Sequence, residues 1–260
     1  MLWPSLAGIV FLALGLMRSG KLAAFGSAFF AAALAAFGVE HLVASRSILQ
    51  VIPSWMSGRL FWTYLVGIAL LAAAGSLALR RYVRTAATLL GILFLLFVLL
   101  IHLPNVAANP TERLPWTILL RDTAFGGGAW TLAGGRLRVA GRYSIAAAAV
   151  FFAAVYFLHP EIAPGVPLRK LTPAWVPFSA FWGYPMGALL LLAGVAVFSS
   201  RRVRLTATWL AIAVTLSVVL VYVPVMALAP TVEAMNYVFD TLLFAGAVWL
   251  LAESAAVRQS

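Results

Sequence analysis

Cysteine is absent from the 260 residues, which excludes disulfides, thiol redox chemistry and thiolate metal ligands. Charge is scarce as well: 10% of positions are charged and 7 are acidic, against 64% hydrophobic residues and a mean hydropathy of +1.02. A water-soluble domain carries about a quarter charged residues, so most of this surface has to face lipid. No P-loop, dinucleotide fingerprint, Ser-His-Asp set or zinc-protease helix occurs. The HxxxH and HxxE spacings that place ligands on one helix face are also missing, so no metal site is expected. The basic excess, a net charge of +11, lies in short clusters between apolar runs. Membrane orientation signals sit there, which argues against nucleic acid as a partner.

Nine apolar stretches approach the roughly 20 helical residues that cross a ~30 Å hydrocarbon core. They lie near 2–17, 23–44, 60–79, 85–103, 116–134, 143–158, 179–198, 205–223 and 234–252. Arg18 and Lys21 follow the first stretch, whereas a signal peptide carries its charge before the apolar run. The first stretch therefore reads as an uncleaved helix with its N-terminus outside. Arg18 and Lys21, Arg80, Arg81 and Arg84, Arg136, Arg138 and Arg142, Arg201, Arg202 and Arg204, and Arg258 then share one side. Only Arg46, Arg59, Arg113, Arg169 and Lys170 fall on the other. Short loops rich in Arg and Lys stay in the cytoplasm. The expectation is a multi-pass protein of the cell (cytoplasmic) membrane with a cytoplasmic C-terminus, the lipid bilayer being its first partner.

The chain also contains itself twice. Residues 52–110 lie over residues 172–230 at a constant offset of 120 without a gap. Pro53, Trp55, Trp62, Tyr64, Arg81 and Arg84 recur as Pro173, Trp175, Trp182, Tyr184, Arg201 and Arg204. Such self-similarity decides architecture first. Each copy holds four spans, an even number, so both start from the same face and are parallel rather than inverted. The fold expected is an all-α membrane protein of nine transmembrane helices, with an extra N-terminal helix (1–22) and four-helix repeats at 23–135 and 136–260. The repeated Trp and Tyr residues fall where spans meet the outer interface, the level an aromatic belt occupies.

One module runs His159-Pro160-Glu161, a Pro-x-Trp segment, Phe181-Trp182-x-Tyr184-x-x-Gly187, and an Arg-rich inner turn, Arg201-Arg202-Val203-Arg204. It resembles the DoxX-like family of small four-helix membrane proteins, here as a tandem fusion over about residues 27–252. The resemblance implies association with thiosulfate:quinone oxidoreductase or quinol-oxidase subunits, or with membrane assembly factors, and no catalytic signature carries over. The first copy departs from the turn pattern, since Glu40 precedes His41 and Leu42 follows it. Without cysteine, the chemistry of thiol-oxidising relatives is lost.

Intramembrane ionisable residues cost ~2.5–3.5 kcal/mol each on insertion scales and mark function by default. Asp122 and Asp240 occupy equivalent places in the fourth helix of each copy, roughly 10 Å below the outer boundary. They read either as a helix-locking pair or as a proton or ligand site. Arg121 and Asp122 are adjacent and point about 100° apart on a helix. Each is therefore expected to need another partner, and Arg121 either serves an anionic or carbonyl ligand or snorkels to the outer surface. His102 aligns with Tyr222, and each precedes a proline by two residues. Either could donate a hydrogen bond to a quinone carbonyl or relay a proton.

Glu40, His41, His159 and Glu161 are expected at the outer rim as caps and anchors. Gly126-Gly127-Gly128, opposite Ala245-Gly246-Ala247, reads as close helix packing or as a hinge. Pro185 is expected to kink the seventh helix. The leading expectation is a small lipophile such as a quinone, as cofactor of a redox accessory subunit, in an outer-leaflet pocket lined by Asp122, Asp240, Arg121, His102 and Tyr222. A proton-coupled transporter, disfavoured by few ionisable residues in the inner halves, is one alternative. A structural subunit partnered with another membrane protein is the other.

Overall fold

The computed structural model describes residues 2–17 and 25–256, so Arg18, Lys21 and Arg258 lie outside the described residues. The described chain is helical, with one isolated bridge, Ile162 to Leu171. The helices are α1 (Leu2–Met17), α2 (Phe25–Val43), α3 (Ser45–Ile48), α4 (Arg59–Leu79), α5 (Val83–Phe97) and α6 (Leu103–Ala108). They continue with α7 (Arg113–Ala133), α8 (Leu137–Leu158), α9 (Gly183–Phe198), α10 (Val203–Ser217), α11 (Val223–Leu228) and α12 (Val232–Ala256). Wider π-type turns, Val98–His102 and Val218–Tyr222, join α5 to α6 and α10 to α11 as continuous rods.

Six of these segments are long and apolar enough to cross a membrane: α2, α4, α5 through α6, α8, α10 through α11, and α12. The chain is thus built as a multi-pass membrane protein. Helices α1 and α9, of 16 residues each, are apolar but shorter. Helix α7 has 21 residues and carries Arg121 and Asp122 inside it.

Packing follows the order of helices within each stretch. Helix α2 lies on α4 as α8 lies on α9, and α5 lies on α7 as α10 lies on α12. The first helix of each stretch meets the fourth helix of the other, α2 against α12 and α8 against α7. Helices α7 and α12 pack together across the middle, and α1 covers α2 and α4 from outside. Burial agrees with this plan: the apolar window of α12 is 89% buried, that of the α5–α6 rod 28%. Leu89, Leu99, Leu192, Val195, Trp209 and Leu220 are exposed on the peripheral rods, an outward apolar surface suited to lipid.

Local geometry recurs at the same offset as the residues. Arg80 and Tyr82 take φ of 56° and 55°, and Ser200 and Arg202 take 53° and 52°. The Trp62 indole donates to the Ser57 carbonyl at 3.2 Å and the Trp182 indole to the Pro177 carbonyl at 2.9 Å. Both π turns precede a proline, Pro104 or Pro224, at the second position of the following helix. Proline has no N–H for the carbonyl four residues back, and a widened turn accommodates that missing rung.

One expectation is corrected by where a helix begins, and one open choice is decided by how a helix continues. Pro185 does not kink a helix, because α9 starts at Gly183 and leaves Pro185 in its first turn, where N–H groups lack intrahelical acceptors anyway. The glycine run does not open a hinge, since α7 is unbroken. Its three members face three neighbours instead. A Cβ on Gly126 would stand 3.2 Å from Phe94 of α5, one on Gly127 2.7 Å from the Gly141 carbonyl of α8, and one on Gly128 2.8 Å from the Ala247 Cβ of α12. Small residues bring α7 into backbone contact on several sides, which makes it the hub.

Candidate functional site

The π turn ending at His102 aims its imidazole at the middle of α7. His102 Nε2 lies 2.8 Å from Asp122 Oδ2. Arg121 Nε donates to Asp122 Oδ1 at 2.9 Å, and Arg121 Nη1 donates to Asp240 Oδ2 at 2.8 Å. The guanidinium thus clamps α7 to α12, and it also lies over the Phe125 ring, 5.6 Å from the centroid. His102, Asp122 and Asp240 are buried, and the Arg121 side chain is 18% exposed.

Arg121 and Asp122 each have the further partner they were expected to need, Asp240 for Arg121 and His102 for Asp122. The readings that the adjacent pair cannot easily neutralise each other and that Arg121 snorkels are corrected. It does pair with its neighbour, because a guanidinium on a long stem presents several donors and can curl back over a 100° step. It does not snorkel outward, because Asp240 meets it inside the bundle.

Glu40 is corrected too. It is 2% exposed rather than at the rim, and it accepts a hydrogen bond from Asn236 Nδ2 at 3.3 Å. Asn236 and Asp240 are one turn apart on α12, so Glu40 joins the cluster through Asn236. His41 bonds the Phe37 carbonyl of its own helix at 2.8 Å. His159 and Glu161 lie at the exposed rim, 3.4 Å apart.

Tyr222 holds the position equivalent to His102 but does not bond Asp240. Its hydroxyl donates to the Ala163 carbonyl at 3.0 Å, alongside the Tyr156 hydroxyl at 2.8 Å. The cause is a segment absent from the first stretch. Between α8 and α9 the chain dips into the bundle, with Ile162, Ala163, Val166 and Leu168 buried. It is pinned by Ala163 N–H to the Lys170 carbonyl at 2.8 Å and Thr172 N–H to the Glu161 carbonyl at 2.9 Å. Arg113, the first residue of α7, donates to the carbonyls of Pro167 at 2.6 Å and Leu168 at 3.0 Å. A Cβ on Gly165, whose φ is 134°, would come 2.6 Å from Thr241 Cγ2, so the loop wedges beside Asp240. Sequence reasoning missed Arg113, Tyr156, Asn236 and this loop; the surplus length of the second outer connection was the available signal.

The two tyrosines share one acceptor, and that makes a prediction. Tyr222→Phe should cost about 1 kcal/mol, because Tyr156 still satisfies the Ala163 carbonyl. Tyr156→Phe with Tyr222→Phe should cost more than the two single changes together, since the buried carbonyl then loses both partners. Thermal unfolding of the three variants in detergent measures this, and strict additivity would show that the carbonyl does not depend on them.

Helices α8 and α12 extend past the spans read from hydropathy, so Arg142 is buried and Glu253 half-buried. The polar groups of the cluster are paired with one another. Its donors, His102 Nε2 and Arg121 Nε and Nη1, are committed to carboxylates, and the Tyr222 hydroxyl is committed to Ala163. Two clefts, one at Arg169 to Tyr237 and one at Val139 to Ser200, are lined by other residues.

A family model described as "Domain of unknown function (DUF8561)" matches residues 30–116, from α2 into the first turn of α7. No curated protein and no solved structure matches the chain.

Proposed function

We propose that the chain is a nine-span protein of the cytoplasmic membrane, made of two same-facing, DoxX-like four-helix halves and an added first helix. Its N-terminus is outside and its C-terminus cytoplasmic. The charge pattern supports this orientation, and so does the grouping of helix ends: Arg84 approaches Gly135, and Arg142 shares a cleft with Ser200. Ser5 near the start of α1 reaches Met226 in α11.

Within that frame the outer-half cluster is a proton-binding centre, and the protein couples proton exchange to the movement of a small molecule. One observation carries the reading: two buried carboxylates, Asp122 and Asp240, share a single guanidinium, and a third buried carboxylate, Glu40, adjoins them through Asn236. Each unpaired buried charge costs several kcal/mol, so the surplus negative charge calls for protons. His102 against Asp122 adds an imidazole to the centre.

Infrared difference spectroscopy of the protein in lipid tests the reading. A carboxylic-acid C=O stretch should be present at neutral pH, titrate with pH, and change or vanish in Asp240→Asn. Its absence at every pH short of unfolding removes the proton-binding role. A second reading, a structural or assembly subunit, is favoured by the closed pairing of Arg121. It requires a stoichiometric membrane partner that stays bound in Asp240→Asn.

A further inference from the structure

A separate cleft of about 490 Å³ opens at the outer end of the second half, between the loop after α8 and the start of α12. Arg169 and Lys170 line its loop side, and Glu233 and Tyr237 line its α12 side. Val225 and Ala229, at the end of α11, give it an apolar flank. The charges are opposite in sign, yet the ion pairs among the described residues do not join them. Glu233 instead accepts the Tyr237 hydroxyl at 2.6 Å, which holds its carboxylate in place. The flanking loop cannot easily collapse across the gap, because its backbone is tied to Glu161 and Lys170 and clamped by Arg113.

We propose that this cleft binds a zwitterionic head group, a phosphate on Arg169 and Lys170 with an ammonium on Glu233. A fixed gap with two cations on one wall and a carboxylate on the other is complementary to a molecule carrying both charges. Neither a simple anion nor a simple cation satisfies both walls. The apolar flank beside the rim of the bundle suits the glycerol and first methylenes of a lipid. Phosphoethanolamine attached to a lipid and the same head group free in solution share this chemistry.

The test uses the full chain in nanodiscs with equal parts of phosphatidylethanolamine, phosphatidylglycerol and phosphatidylcholine, followed by native mass spectrometry of retained lipid. Phosphatidylethanolamine should be retained in preference to the other two. Arg169→Ala with Lys170→Ala should lower its retention by about tenfold or more, the scale of a lost charge-assisted bond. Glu233→Gln should abolish the preference over phosphatidylglycerol while leaving phosphatidylglycerol bound.

Glycerophosphoethanolamine added as a competitor separates the sources. Displacement at millimolar concentration assigns the site to the soluble head group, and failure to displace assigns it to the lipid. Equal retention of all three lipids by the wild type overturns the proposal, and so does unchanged retention in the Arg169/Lys170 variant with an unaltered unfolding midpoint.

Discussion

Arg121→Met is expected to cost about 3–5 kcal/mol, the range for breaking a buried ion pair from one side. The guanidinium is the cation bonded to both Asp122 and Asp240, and methionine leaves two carboxylates facing each other across the α7–α12 contact. Loss of the α7–α12 clamp should appear as a large drop in the thermal midpoint of detergent-solubilised protein. Arg121→Lys should recover little of it, because an ammonium is a point donor and cannot serve two carboxylates in the same forked geometry. Adding Asp240→Asn to Arg121→Met should restore part of the loss, since it deletes one of the stranded charges. A midpoint within a degree or two of wild type in Arg121→Met would mean that the clamp contributes nothing, and the centre would lose its architectural role.

The second large effect lies two turns further along α7. Gly128→Leu should disrupt folding, at the upper end of the ~1–3 kcal/mol typical of overpacking or beyond it. A Cβ at this position would stand 2.8 Å from the Ala247 Cβ and 3.0 Å from its Cα. The obstacle includes main chain of α12, which cannot rotate away as a side chain could, and Phe30 of α2 crowds the same spot. The two central helices would have to separate, straining the Arg121 to Asp240 bond two turns away. Gly75 of α4 is the control, because a Cβ there meets nothing within 4 Å. Gly75→Ala should be neutral or stabilise by roughly 0.5–1 kcal/mol, the helix-interior difference between the two residues. Expression yield and monodispersity in detergent compare the pair; a well-behaved Gly128→Leu protein would refute the close approach.

Much of this was legible in the residues, for identifiable reasons. Helix positions followed hydropathy because a lipid-exposed rod must be apolar along its length and must satisfy its own backbone. The matched π turns could have been suspected from Pro104 and Pro224, since a missing N–H acts locally. Asp122, Asp240 and Arg121 stood out because charge inside an apolar run is expensive. Glu40 was misplaced at the rim because hydropathy locates a residue along a helix but not around it. Pro185 was misread because the start of α9 depends on the turn before it, where Phe178 takes a φ of 53°.

An apolar, helical, lipid-facing chain with polar groups confined to a few depths follows from composition and order alone, because each of those properties acts within one or two helical turns. Which polar group meets which is another matter. Arg121 finds Asp240 across 119 residues, Asn236 finds Glu40 across 196, and the 162–168 loop turns Tyr222 away from Asp240. Those pairings join α7 to α12, α12 to α2 and the π turn at Tyr222 to the loop after α8, and which helix lies beside which depends on contacts distant in the chain.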